Sequence, residues 1–545
     1  MSKKRLHIIS AFFVVLLLLF GVTSAVSAEE KDLCRETVLT RQGPVRGVSV
    51  REGRACAYKG IPYAAPPLNH LRFRAPQPPP KRGNTLEAIE FGAECVQHDE
   101  FSWIAGGSPA TDTDEDCLYL NIWRPSREGR FPVLVYIHGG RFTKGSGSRP
   151  VWQGDKLAAG HEVVVVTINY RLGPFGFLSH PGLDDKDGTI SGNYGLMDQV
   201  MALNWIKNNI NTFGGDHWRI TIAGSGAGAS SVCALLTSPK AQGLFHRAIL
   251  QSGSCRAVRS REAAISQGEK IARETGCAGA GAAECLRNKP AAQFLKALDE
   301  PRGLRDWFHF PYLPMVDGEY VTDFPLDLIK RGDYNRVPVL LGSNRNEGNF
   351  LTLEYPGVRL APEFTMRGFI KDLLGQDGLY GIDHFYTLSH YRRPADQALH
   401  ACGDLVYGCP VFEAAEALTE KQKSVYYYSF DYAEHTYPHM VGAARGFEVP
   451  FIFDTLDKMP FNLIYAPHQR DNARPLIDVT AGFWTRFAAT GDPNHPDLPL
   501  WPPYEKDKRQ RMFLDIPPYA IHTDNFEKCR YWQKHGLVKH LNEEE

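Results

Sequence analysis

Short runs of apolar residues recur through the middle of the chain and are separated by a segment of helical spacing. The runs cover residues 133–137, 163–168, 220–223 and 337–341. Continuous apolar runs of this length are typical of parallel strands that are buried on both faces. Residues 195–210 carry apolar side chains at helical spacing, so strand, helix and strand follow one another. This order predicts an α/β fold with a large, mostly parallel central sheet and helices on both faces.

Two of these runs end in glycine-rich turns. Ligands of such sheets bind at the carboxyl ends of the strands, so the turns are candidate functional segments. His138-Gly139-Gly140 follows the first run and leaves backbone N–H groups uncovered, as an oxyanion hole requires, although a plain glycine turn explains it equally well. Residues 224–228 (GSGAG) follow the third run and open a helix, which is the context of a nucleophile elbow. The central position of that turn is Gly226.

The N-terminus predicts a secretory signal peptide. Three basic residues at 3–5 precede an apolar stretch at 8–22, and Val26-Ser27-Ala28 provides small residues for cleavage. A membrane anchor is the competing interpretation, but the stretch is shorter than the ~20 residues that span a bilayer. We therefore expect a signal peptide at 1–28 and a mature chain that is secreted or periplasmic.

The charge balance is even, with 61 basic and 62 acidic side chains in 545 residues and a formal net charge of -1. No polybasic tract supports nucleic-acid or anionic-membrane binding. No Cys or Cys/His spacing indicates zinc, and the sequence predicts neither a metal nor an organic cofactor.

The 11 cysteines all follow the predicted signal peptide, and their odd number leaves at least one thiol unpaired. Cys233 is expected to be a buried, inert thiol. We expect short-range disulfides between Cys95 and Cys117 and between Cys277 and Cys285. Cys409 with Cys529 and Cys34 with Cys56 are further candidate pairs, because spacing alone does not fix the connectivity.

The sequence resembles the type-B carboxylesterases, the α/β-hydrolase family that includes the cholinesterases. The resemblance extends over essentially the whole mature chain and implies one α/β-hydrolase domain at 29–545 with the insertions typical of the family, although length alone would favour about two to four domains. It is carried by the His138-Gly139-Gly140 turn and by residues 58–67, 115–121, 169–177, 198–199, 213–216, 249–253, 346–348 and 491–494.

The resemblance assigns the three positions of a Ser–acid–His triad. The nucleophile position is Gly226, the acid position is Glu347, and the base position, in a segment where similar proteins read GxxHGxE, is Arg445. Glycine has no hydroxyl to form an acyl-enzyme, and arginine has no lone pair with which to accept a proton. Serine hydrolysis is therefore predicted to be lost, although Arg445 can still pair with Glu347.

The oxyanion-hole positions are Gly139, Gly140, Ala227 and Arg141, where the last replaces a glycine or alanine of similar proteins. Arg141 keeps its backbone N–H but places a long cationic side chain where acyl groups would lie. The sequence predicts a pocket among Gly139, Gly140, Gly226 and Ala227, which the two arginines would bias toward ester-like or anionic small molecules.

The sequence leaves two other functional hypotheses open. Ser225 and His439 could form a rewired dyad in an active carboxylic ester hydrolase, whereas the simpler interpretation makes Ser225 a small filling residue beside the turn and His439 a loop histidine. Ser252 is expected to support the site from behind. The chain could also be a protein-interaction module like the neuroligins, with a protein partner. The leading hypothesis is an inactive esterase homologue, or an inactivated variant, that acts by binding.

Overall fold

The computed structural model describes residues 32–98, 113–184, 188–297, 310–391, 393–523 and 526–537. The predicted signal peptide at 1–28 lies outside the described residues. In the part of the chain that is described, no helix combines the length and apolar character that spanning a membrane requires.

An 11-stranded mixed sheet forms the centre of the fold, in the order β16-β15-β14-β13-β12-β11-β9-β10-β8-β4-β3. The strands of this sheet and of the two smaller sheets are, over the described residues, β1 (Thr37–Thr40), β2 (Gly43–Arg46), β3 (Val48–Val50), β4 (Ala55–Pro62), β5 (Leu86–Glu87), β6 (Glu94–Cys95), β7 (Thr113–Asp114), β8 (Tyr119–Pro125), β9 (Phe131–Ile137), β10 (Val164–Ile168), β11 (Gly215–Ser225), β12 (Arg247–Gln251), β13 (Val339–Asn344), β14 (Val425–Phe430), β15 (Gln510–Leu514) and β16 (Tyr519–His522).

The seven strands from β15 to β10 are parallel, and the strands at both edges are antiparallel. The predicted mostly parallel α/β sheet is therefore confirmed. Every residue of β9 and β10 is buried, because both strands have neighbours on each side and covered faces. This double burial explains why the two segments are continuous apolar runs.

Helices pack against the sheet, and α4 and α15 both contact β11. The helices are α1 (Asp155–Gly160), α2 (Gly173–Phe177), α3 (Tyr194–Asn209), α4 (Ala227–Thr237), α5 (Arg261–Glu274), α6 (Ala282–Asn288), α7 (Ala291–Lys296), α8 (Pro325–Arg331), α9 (Leu351–Glu354), α10 (Glu363–Phe385), α11 (Pro394–Gly403), α12 (Cys409–Thr419), α13 (Val449–Ile452), α14 (Phe461–Ile464), α15 (Pro467–Thr490) and α16 (Glu527–Lys534).

The described residues contain five disulfides, and four of them are the expected and candidate pairs. The expectation for Cys233 is wrong, because Cys233 in α4 is bonded to Cys255, which follows β12. Parallel pairing of β11 with β12 brings these two segments together. The free thiol is Cys402, which is buried in α11. Several disulfides in one chain are typical of proteins that fold in an oxidising compartment.

Candidate functional site

The carboxyl ends of β9, β11 and β13 meet at one edge of the sheet, and the turn after β9 carries the first part of the site. A Cβ atom on Gly139 would lie 2.5 Å from the carbonyl oxygen of Ser225, so only glycine fits against the end of β11. Gly140 has a φ of 115°, which favours glycine. No residue of the described ranges accepts a hydrogen bond from the N–H groups of Gly139, Gly140 or Ala227. These N–H groups remain available to an oxyanion.

Gly226 forms the sharp turn between β11 and α4. Its φ of 59° and ψ of -116° lie outside the regions that side chains tolerate well. Its N–H donates a hydrogen bond to the carbonyl of Gln251 at 2.9 Å, which ties the turn to the end of β12. The predicted strand, elbow and helix are thus present, with glycine at the apex.

Arg445 fills the space above Gly226. A Cβ atom on Gly226 would overlap Nη2 of Arg445. The Arg445 side chain is almost fully buried, its Nη1 donates to the hydroxyl of Tyr407, and its guanidinium carbon lies 4.0 Å from the centre of the Tyr407 ring. A cation over an aromatic face at this distance is electrostatically attracted to it. Tyr407 was not identified from the sequence, because it lies on a π-helical turn (Asp404–Gly408) with no motif of its own.

Glu347 lies just after β13 and is buried. Its Oε1 accepts hydrogen bonds from the Ser252 hydroxyl at 2.6 Å and from the Asn344 N–H at 2.7 Å, while Oε2 has no partner among the described residues. The pairing with Glu347 that was open to Arg445 is not observed in the described ranges, because the guanidinium turns toward Tyr407. Burial raises the pKa of Glu347 to about 8, although the two hydrogen bonds and Arg445 oppose the shift. The carboxyl is therefore mostly protonated near neutral pH.

This shift predicts that Glu347 makes the stability of the fold depend on pH. The folded chain keeps the Glu347 proton up to about pH 8, whereas the unfolded chain loses it near the ordinary value of 4.5. Between those values the folded state binds more protons, so the free energy of unfolding falls as the pH rises. We expect Glu347→Gln to flatten this decline by up to about 1.4 kcal/mol per pH unit, measured from urea unfolding midpoints across that range.

The matched control for this prediction is Glu162→Gln, because the Glu162 side chain is 79% exposed. The control should leave the pH profile unchanged. Parallel profiles for the parent chain and Glu347→Gln would contradict the raised pKa.

A second buried carboxyl, Glu448, stands behind the site and was not singled out from the sequence. It accepts hydrogen bonds from the side-chain amides of Gln251 at 3.1 Å and Asn344 at 2.7 Å. These bonds connect the ends of β12 and β13 to the segment that carries Arg445. Its position in the sequence could have identified it, because Glu448 lies three residues after Arg445, at the end of the segment that resembles GxxHGxE.

Arg141 follows the glycine turn with a φ of 59°, an unusual conformation for a residue with a side chain. Its guanidinium is buried and lies 5.3 Å from the ring of Phe310. Burial lowers the pKa of Arg141, Glu354 acts against that shift, and the positive charge of Arg445 adds to it. Arg141 and Arg445 line a common cavity.

Two cavities meet at Arg445. One, of about 460 Å³, is lined by Phe142, Gly226, Ala227, Ser230, Ser254, Ala257, Phe310, Leu313, Leu405, Val406, Tyr407, Pro410 and Arg445. The other, of about 600 Å³, is lined by Tyr136, Gly139, Gly140, Arg141, Lys144, Val151, Trp152, Ser225, Phe350, Glu354, Arg445, Gly446 and Val449. The first is mainly apolar and the second is rich in charge.

The remaining candidates fall in different places. Ser225 lines the larger cavity, and the Ser252 hydroxyl donates a hydrogen bond to Glu347. His439 is exposed in a loop where its carbonyl accepts a hydrogen bond from Arg359, and it lines neither cavity. His138 is buried, its Nδ1 lies 2.8 Å from the Gly139 carbonyl, and burial lowers its pKa to about 4.

Comparison with known proteins agrees with this architecture. The Carboxylesterase family matches residues 35–532. The para-nitrobenzyl esterase of Bacillus subtilis (strain 168) is 34% identical over 487 residues, covering 89% of this chain and 95% of that protein. The acetylcholinesterase of Bungarus fasciatus is 32% identical over 93% of this chain and 87% of its own length. A solved structure of a PNB esterase aligns with a TM-score of 0.78 at 33% identity, over 91% of this chain and 99% of that chain. The chain therefore belongs to the carboxylesterase family.

Proposed function

We propose that this chain does not hydrolyse esters through a serine nucleophile and that it acts by binding a ligand in its two cavities. The observation that carries the proposal is the position of Arg445, whose Nη2 occupies the space that a side chain at Gly226 would need. Gly226 has no side-chain oxygen to attack an ester, and the guanidinium of Arg445 has no lone pair to accept a proton. Removal of one such member from a triad costs on the order of a millionfold in rate.

The cavity linings also support the proposal, because they offer no general base for ester hydrolysis. Neither described lining contains a histidine, and Glu354 is the carboxylate among them. His138 does not reach either cavity, and its low pKa makes it a poor base near neutral pH. The N–H groups of Gly139, Gly140 and Ala227 remain as donors, so the site keeps the means to bind an oxygen without the means to attack a carbonyl.

Charge supports a preference for anionic ligands. Arg141, Lys144 and Arg445 line the larger cavity, against the single acidic side chain of Glu354. Glu347 does not neutralise Arg445, because burial keeps that carboxyl mostly protonated near pH 7. An anion entering the cavity would therefore meet a net positive field.

The hydrolysis of p-nitrophenyl acetate by the purified mature chain tests the proposal. We expect the rate to equal that of a Gly226→Ala variant and the uncatalysed background. Labelling with a fluorophosphonate, followed by peptide mass spectrometry, should find no modified serine in the parent chain. Turnover that saturates with substrate and is lost on labelling would overturn the proposal.

A second candidate is an active ester hydrolase with Ser225 as the nucleophile. The observation that favours it is that Ser225 lines the larger cavity beside the glycine turn. The names of the relatives, which include a para-nitrobenzyl esterase, point in the same direction. A fluorophosphonate adduct on Ser225, and loss of turnover in Ser225→Ala, would establish this candidate in place of the first.

A further inference from the structure

We propose that the ligand is an amphipathic carboxylate, held with its carboxylate at Arg445 and its hydrocarbon chain in the smaller cavity. This inference rests on the proposed function, because it assigns a ligand class to the same non-hydrolytic site. The ligand has one apolar end and one carboxylate end. The placement follows from the two cavities and the residue between them.

Arg445 is the one residue that lines both described cavities. Its Nη1 is bonded to Tyr407, and Tyr407 is the only hydrogen-bond acceptor that Arg445 contacts in the described ranges. Nη2 therefore keeps its capacity to donate, at the point above Gly226 where the cavities meet. A buried guanidinium with spare donors is a strong partner for a carboxylate.

The smaller cavity suits a hydrocarbon chain. Its walls include Phe142, Phe310, Leu313, Leu405 and Val406, and apart from Arg445 it has no charged side chain. Apolar walls favour apolar atoms, because burying them removes hydrocarbon surface from water.

The head group is assigned from backbone donors of residues that line the same two cavities as Arg445. The N–H groups of Gly139, Gly140 and Ala227 have no acceptor in the described ranges and follow the ends of β9 and β11. A planar carboxylate can give one oxygen to the guanidinium and the other to such N–H groups. Arg141 and Lys144 add positive charge on the side of the larger cavity.

Isothermal titration calorimetry of the mature chain with four probes tests the ligand class. The probes are octanoate, octanol, acetate and octyl phosphate. We expect octanoate to bind at least about tenfold more tightly than each of the others, because it alone combines a planar carboxylate with a chain. Equal binding of octanol would overturn the carboxylate assignment, equal binding of acetate would overturn the apolar part, and tighter binding of octyl phosphate would replace the carboxylate with a phosphate.

Two variants test the placement. Arg445→Gln should weaken octanoate binding at least about tenfold and leave octanol binding unchanged, whereas Leu313→Trp should weaken octanoate and leave acetate unchanged. Arg331→Gln is the control, since Arg331 lies in α8 with its side chain 50% exposed and lines neither cavity. Circular dichroism establishes that each variant is folded. Unchanged octanoate binding in folded Arg445→Gln would overturn the placement.

Hydrolysis measured on the same preparations separates this inference from the proposed function. Ester turnover by a chain that still prefers octanoate would refute the proposed function and leave the ligand class standing. A chain that neither turns over esters nor prefers octanoate would refute the ligand class alone.

Discussion

The variant Gly226→Ser, Arg445→His, Arg141→Gly should hydrolyse p-nitrophenyl acetate at least about a thousandfold faster than the parent chain. Serine at 226 would supply the missing oxygen, and histidine at 445 would supply a base. The donors it would use are still present, because the N–H groups of Gly139, Gly140 and Ala227 have no acceptor in the described part of the chain. The measurement is the initial rate at matched protein concentration.

Neither single substitution should give the activity of the triple variant. Gly226→Ser alone should stay within about tenfold of background, because its side chain would overlap Nη2 of Arg445 and would have no base. It should also be less stable than the parent, since serine at a φ of 59° adds about 1 to 3 kcal/mol of strain. Arg445→His alone should be inactive because it has no nucleophile.

The matched control keeps the last two substitutions and places alanine at 226. That variant has the same Cβ atom but no hydroxyl, so its rate should match the background. A folded triple variant that is no faster than this control would mean that the glycine turn is not a working oxyanion hole. Full activity in Gly226→Ser alone would mean that Arg445 moves aside and does not exclude a side chain.

Much of the fold was predictable, because burial on both faces leaves a direct trace in the sequence. The apolar runs at 133–137 and 163–168 became β9 and β10, within one or two residues at each end. The bond between Cys233 and Cys255 was not predictable in this way. It depends on α4 and the end of β12 lying side by side, and neither segment carries a local signal of that contact.

The site was predictable in its positions and less so in its contacts. The resemblance assigned Gly226, Glu347 and Arg445 to triad positions, and Gly226 and Glu347 follow the ends of β11 and β13. It suggested an ion pair between Arg445 and Glu347, but Tyr407 offers both a hydroxyl and a ring face to the guanidinium. Contacts of this kind depend on where a long side chain finds space. The space above Gly226, which Arg445 fills, is visible only in three dimensions.

The variant Asp198→Asn should lower the free energy of unfolding by about 3 to 5 kcal/mol. Asp198 in α3 and Arg171, in the loop after β10, form a buried ion pair. Asp198 accepts hydrogen bonds from Nε of Arg171 at 2.8 Å and Nη2 at 2.7 Å, and from the Arg171 N–H at 3.0 Å. The Asp198 carboxylate raises the pKa of Arg171 against the effect of burial. Removing its charge would leave a buried guanidinium uncompensated, and urea unfolding measures the cost.

An exposed pair of similar geometry provides the control for this prediction. Asp383 accepts hydrogen bonds from Arg367 at 2.7 and 3.0 Å, but both side chains are more than 40% exposed, at 48% and 42%. Asp383→Asn should therefore cost no more than about 1 kcal/mol, because water solvates each charge when its partner is gone. The double variant Arg171→Met, Asp198→Leu should be more stable than Asp198→Asn, since it leaves no buried charge behind. Equal losses for Asp198→Asn and Asp383→Asn would mean that water reaches the buried pair, and that the segments at 169–177 and 198–199 are held together by packing rather than by charge.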